Sequence, residues 1–222
     1  MTFELFDPDL PVQINQGALP HWYQPGVTYF VTFRTADSVP ASVAKSWRVR
    51  RFKWLEQFGI DDGNPDWKTR FQELSAEIQH EFHSIFSREF LEYLDRGYGE
   101  CILKQRTPAK IVADSLLHFD GDRYHMGDFV IMPNHVHLLV CLIGDTDIEK
   151  QCYSWKKFTA TQINKALGHQ GEVWQYESFD HLIRNPDHYE QFRSYIAANP
   201  QKAGLREGEY LYRAHESSRV TP

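Results

Sequence analysis

Apolar and polar positions along this chain alternate between two periods. Val27–Arg34 (VTYFVTFR) is dense in β-branched and aromatic residues and predicts a strand, ended by Ser38–Pro40. Val43, Trp47, Phe52, Leu55 and Phe58 recur near helical spacing and predict a helix over 41–58. DDGNPD at 61–66 is a loop by its turn residues. Phe71, Leu74, Ile78, Phe82, Ile85 and Phe86 predict a longer helical stretch over 67–94, broken by Gly97 and Gly99. Residues 100–104 predict a short extended piece, and Pro108 suits the first turn of a helix reaching His118. Residues 124–132 and 135–143 predict two strands joined at Pro133–Asn134 as a hairpin. Ile148–Leu167 predicts a helix stopped by Gly168, and 174–184 is partly extended. Asn185 and Pro186 cap and open a last helix that ends near Asn199–Pro200. Residues 1–26 predict an irregular leader and 206–222 a surface tail. The order strand, helices, hairpin, helix, strand, helix predicts an α+β protein with helices on one face of its sheet.

The chain has 222 residues, 41% hydrophobic and 14% aromatic, which supports a packed core and excludes a disordered chain. The expectation is one domain over 27–205, with an acidic helical insertion over 59–100. No window approaches the ~20 apolar residues of a membrane span. The start, MTFELFDPDLP, is acidic and lacks a basic region before an apolar stretch, so no signal peptide and a soluble cytoplasmic protein without a membrane partner are expected. Cys101, Cys141 and Cys152 lack CxxC spacing and are expected to be reduced thiols. A net charge of −6 disfavours a protein that coats DNA. The charge is uneven, however. Residues 41–58 hold Lys45, Arg48, Arg50, Arg51 and Lys53 against Glu56, a net +4, whereas 59–100 hold ten acids against four bases.

Chemistry concentrates at three places. In the strand after Pro133, His135 and His137 share one face, with α-carbons about 7 Å apart, and Val136 points the other way. Two imidazoles at that spacing can share a divalent ion; two half-buried histidines on an edge strand are the alternative. Tyr195 and Asn199 are four apart on the last helix and share a face. A phenol can act as a covalent nucleophile and an amide oxygen can bind a hard cation. A core tyrosine and a helix C-cap are the alternatives there. Lys156, Lys157, His181 and Arg184, near Trp155 and Trp174, could neutralise phosphates beside stacking rings, or be ordinary core and surface residues.

The run MPNHVHLLV at 132–140 resembles the HUH motif of single-tyrosine transposases, most closely the group associated with repetitive extragenic palindromes (REP). VTFR at 31–34, SWKKFTATQIN at 154–164, VWQYESFDHLIR at 173–184 and YIAANPQKAGL at 195–205 follow the same resemblance in order. The resemblance implies an RRM-like (ferredoxin-like) antiparallel sheet flanked by helices. It implies that His135 and His137 bind Mg²⁺ or Mn²⁺ and that Tyr195 is the nucleophile. Asn199 stands where relatives outside the group carry a glutamine ligand. Lys156, His181, Arg184 and Asn134 are the implied DNA contacts. The implied activity is cleavage and rejoining of single-stranded hairpin DNA, a REP-like palindrome, through a 5′-phosphotyrosine, by a monomer. A DNA-binding protein without turnover and a metal-dependent phosphodiesterase are the alternatives.

Overall fold

The computed structural model describes residues 2–10, 13–16, 20–64, 66–215 and 219–220. In chain order the strands are β1 (Thr2–Phe3), β2 (Gln13–Gln16), β3 (Pro20–Tyr23), β4 (Thr28–Arg34), β5 (Tyr124–Ile131), β6 (His135–Leu142), β7 (Phe179–Leu182), β8 (Leu211–Arg213) and β9 (Arg219–Val220). The helices are α1 (Ala41–Glu56), α2 (Trp67–Gln72), α3 (Ala76–Leu94), α4 (Arg106–Leu117), α5 (Ile148–Leu167) and α6 (Pro186–Lys202). They form two compact units, one of residues 1–38 and 99–222, the other of residues 39–98.

The first unit is built on a five-stranded antiparallel sheet in the order β7-β4-β6-β5-β8. Its core elements run strand, helix, strand, strand, helix, strand (β4, α4, β5, β6, α5, β7), and the fourth strand lies beside the first. That is the ferredoxin-like arrangement. Parity then assigns each side chain to a face. Even positions of β6 (Val136, Leu138, Val140) join Tyr29, Val31 and Phe33 of β4 in the larger core, under Val112 and Leu116 of α4 and Trp155 and Ile163 of α5. Odd positions of β6 share the other face with Phe30 and Val130, which pack with Tyr189 and Ile196 of α6. Helices therefore cover both faces rather than one. The cause is the apolar spacing of Tyr189 and Ile196, which gives α6 its own stripe to bury.

The caps explain where the helices stop. The Asp147 carboxylate accepts the Lys150 N–H at 3.0 Å, and Gly168, at φ 67°, closes α5 in the left-handed region. Asn185 accepts the His188 N–H at 2.8 Å at the head of α6, with Pro186 in the first turn. α6 continues past the expected end to Lys202, with Pro200 inside it. Proline removes one N–H there, and the last turn survives because Ala203 N–H still donates to the Asn199 carbonyl at 3.0 Å.

Two terminal segments differ from expectation. Part of the region expected to be irregular pairs as the β2–β3 hairpin. Leu211–Arg213, expected in a surface tail, pairs with Phe129–Ile131 and covers the free edge of β5. Residues 1, 11–12, 17–19, 216–218 and 221–222 of those two segments lie outside the described residues. The piece expected to be extended at 100–104 is a 3₁₀ turn at Ile102–Lys104. Cys141 and Cys152 are buried and Cys101 is partly so, all as free thiols. Between Met126 and Phe129 the β5 register shifts by a bulge. A side chain at Gly127 would meet Leu139 Cβ at 3.0 Å, so the close strand approach there requires glycine. The bulge delivers the buried Asp128 to Arg193 (3.3 Å), the Tyr212 hydroxyl (3.2 Å) and the His215 N–H (2.9 Å).

The Asp37 carboxylate accepts the Glu100 N–H at 2.6 Å, a bond between residues 63 apart in sequence. A Cβ on Gly99, at φ 95°, would meet the same carboxylate at 2.7 Å. The second unit leaves and returns between these residues. Its core is aromatic, with Leu55, Ile60, Trp67, Phe71 and Phe82 buried and Trp54, Phe58 and Phe86 against them. The stretch expected as one helix over 67–94 is split at 73–75, where Ser75 is extended ahead of α3. Phe52, expected on the apolar stripe of α1, is 37% exposed; Trp54 takes the inward position.

Candidate functional site

The central position of β6 decides the setting of its histidines. Neighbours lie on both sides, so His135 and His137 are fully buried rather than half-buried at an edge. Their rings lean together, with centroids 4.5 Å apart, closer than the spacing of their α-carbons. A ring nitrogen of each lies within 4.8 Å of one from the other. Each ring is held through Nδ1. The His135 Nδ1 lies 2.7 Å from Asn134 Oδ1, and the His137 Nδ1 lies 2.7 Å from Thr32 Oγ1 on the paired strand. Asn134 Oδ1 is only an acceptor, so this contact calls for the His135 proton on Nδ1 and leaves the lone pair on Nε2. Burial pushes His135 down to about 3; burial, with His135 beside it, holds His137 well below the usual imidazole value. Both rings are neutral near pH 7, as metal ligation requires. The chemistry of this anchored, neutral pair suits a divalent cation.

Tyr195 approaches from α6. Its hydroxyl lies 3.4 Å from His137 Nε2, and its ring meets His137 edge-on at 5.2 Å. Phe30 stacks on Phe192 at 4.1 Å and on His137 at 5.5 Å, and its ring stands edge-on to Tyr195 at 6.0 Å. These packed rings fix the phenol relative to the histidines. Asn199, one turn further along α6, is buried within the helix; the C-cap is Ala203, so Asn199 does not cap it. Lys202 Nζ sits 5.4 Å over the Tyr195 ring.

The remaining expected contacts scatter. His181 pairs with Phe30 across the sheet and so shares the face of Tyr195; its ring lies 5.1 Å from His188 and 5.8 Å from Phe192. Asp180, its neighbour in the strand, pairs with Val31 and lies on the opposite face. Arg184 is exposed beyond the end of β7. Asn134 is buried and turned to His135. Lys156 lies on the far side of the sheet, where its ammonium donates to the Tyr176 carbonyl and, at 3.4 Å, to that of Gln175. Burial lowers its pKa. Two residues at this site went unread in the sequence. Thr32 stands opposite His137 only through the β4–β6 register. Lys202 follows Tyr195 by seven, nearly two helical turns, a spacing that could have been noticed.

No protein-family model matches the chain. Over 100 residues it is 29% identical to a protein of Escherichia coli (strain K12) named REP-associated tyrosine transposase, a match spanning 44% of this chain and 58% of that protein. It also aligns, at 18% identity and a TM-score of 0.48, with a solved structure of a REP-associated tyrosine transposase bound to a REP hairpin, over 86% of this chain and 77% of that one.

Proposed function

We propose, from the premise that this chain is a relative of the REP-associated tyrosine transposases, that it is a metal-dependent strand transferase. Its substrate is single-stranded DNA bearing a REP-like hairpin. The reading is carried by one observation: a tyrosine hydroxyl 3.4 Å from the Nε2 of a buried, neutral histidine that has a second histidine beside it. A structural tyrosine needs no such neighbours.

His135 and His137 would hold the cation, with Asn199 as a further candidate ligand. When bound, Mg²⁺ or Mn²⁺ supplies Lewis-acid polarisation of the scissile phosphate. Tyr195 then acts as the nucleophile. Its oxygen forms a bond to phosphorus, the bond to the 3′ oxygen breaks, and the phenolic proton is lost while the departing oxygen gains one. The 5′-phosphotyrosine keeps one phosphodiester for another, so attack by a 3′-hydroxyl rejoins strands without an energy source. Thr32 and Asn134 orient the two rings. Lys202, His181 and Arg184 contact DNA, whereas Lys156 acts by holding the Gln175–Tyr176 backbone.

The test is a covalent-adduct assay. The protein is mixed with labelled single-stranded hairpins from the neighbourhood of its own gene, with Mg²⁺ or Mn²⁺. It is then denatured and run beside Tyr195→Phe. A protease-sensitive shifted band with the wild type alone is expected, with DNA binding retained in the variant. Binding without a band would make the protein a DNA binder without turnover. Free cleaved product without a band would make it a phosphodiesterase. Either result overturns the proposal.

A further inference from the structure

The inserted unit segregates its charge. α1 holds five bases against Glu56 alone, while residues 57–98 hold nine acids against four bases. Two bases of α1 are used within the unit: Arg50 Nη1 donates to Glu89 Oε1 at 2.7 Å, and Arg51 Nη2 lies 3.0 Å from Asp62 Oδ2. Lys45, Arg48 and Lys53 are different. All three are exposed, and among the described residues none has a carboxylate at ion-pairing distance. Helical geometry places Lys45, Arg48, Val49 and Phe52 on one stripe, with Lys53 at its border, over about 12 Å of helix. Val49 and Phe52 stand 46% and 37% exposed on that stripe. A purely solvated basic face gains nothing from presenting a phenyl ring among its cations.

We propose that this face of α1 is a binding surface for single-stranded nucleic acid. Lys45, Arg48 and Lys53 neutralise consecutive phosphates and Phe52 stacks on an unpaired base. An acidic protein segment would also satisfy the cations, but the exposed ring between them favours a partner with π-faces as well as negative charge. The assignment of DNA as the physiological strand rests on the function proposed above; the surface itself does not involve Tyr195 or the histidines.

The experiment titrates the full chain with a fluorescent single strand of about 20 nucleotides over a range of salt. Polyglutamate serves as the acidic-peptide control. The triple variant Lys45→Gln/Arg48→Gln/Lys53→Gln is expected to bind more weakly at low salt. The slope of log affinity against log salt should shrink by about 2, near 0.7 for each lost phosphate contact. Phe52→Ala alone should weaken binding about fivefold or more. Circular dichroism melts check that these exposed substitutions leave the fold intact. Wild-type affinity and slope in the triple variant would overturn the inference, as would loss of polyglutamate binding with strand binding unchanged. Adduct formation by the wild type is scored in parallel. An adduct with an unaltered triple variant defeats this surface and spares the strand-transferase reading. No adduct with a weakened triple variant does the reverse.

Discussion

Thr32→Val isolates the bond that orients His137. The two side chains have nearly the same shape, so the substitution removes a hydroxyl without opening a cavity. In the wild type that hydroxyl is buried and 2.7 Å from His137 Nδ1. Valine leaves that nitrogen facing a methyl group in a site closed to water. Leaving a buried polar atom without its partner costs about 1–3 kcal/mol. At about 2–4 °C per kcal/mol for a chain of this size, the melting temperature should fall by roughly 2–12 °C. The ring also loses what fixes its tilt toward His135, and loss of such an outer partner typically weakens metal binding about 10–100-fold. Both effects are measurable without DNA. Free Mn²⁺ is followed by electron paramagnetic resonance during titration, and melts are run in chelator. Thr32→Ser restores the hydroxyl and should recover most of the affinity, while His137→Ala should abolish the site. Mn²⁺ uptake by Thr32→Val equal to that of the wild type would refute the claim that Thr32 positions the ligand.

Two more predictions concern the scaffold. Gly127→Ala drives a methyl group against Leu139 Cβ at 3.0 Å and its carbonyl at 3.1 Å. It should destabilise the sheet by about 1–3 kcal/mol in urea unfolding; an unchanged midpoint would mean that the bulge relaxes freely. Burial pushes the Cys152 thiol up to about 12. The unfolded chain releases that proton near pH ~8.5, so its deprotonation favours unfolding and stability falls as pH rises from there toward 12. The decline from this thiol approaches about 1.4 kcal/mol per pH unit. Cys152→Ala should flatten it in unfolding curves at alkaline pH, and an unaltered slope would exclude this thiol as the source.

Legibility in the sequence followed the range of the interactions. The bounds of α5 were readable because both of its ends are set locally, by the Asp147 cap and by Gly168. Pairing of the two long strands was readable from the short Pro133–Asn134 connection. The sharing of one face by His135 and His137 follows from strand parity alone. Their complete burial does not, because it depends on β4 and β5 flanking β6. Thr32 could not be assigned a role, since its partner lies 105 residues away and only the register brings them together. α6 was readable as a helix, but its seat on the second face depends on what the sheet offers there. Phe52 lies outside the buried stripe because a helix with aromatic residues on several sides has more than one plausible stripe, and packing against α2 and α3 settles which one is buried. Lys156 carries a phosphate-binding side chain by type, and only the tertiary structure turns it onto backbone carbonyls.

The Asp37–Glu100 bond has a consequence for how this chain came to be assembled. It fastens the two ends of a sixty-residue excursion side by side on the sheet unit. Seen from that unit, the excursion occupies the place of a tight turn. Closing a longer flexible loop between fixed ends costs only about 0.6 kcal/mol per doubling of length. A seam of this kind is therefore a tolerant acceptor for foreign sequence. A change in the number of residues between Ser38 and Gly99 is a small perturbation of the closure itself, and the sheet unit that carries β6 and α6 can absorb it.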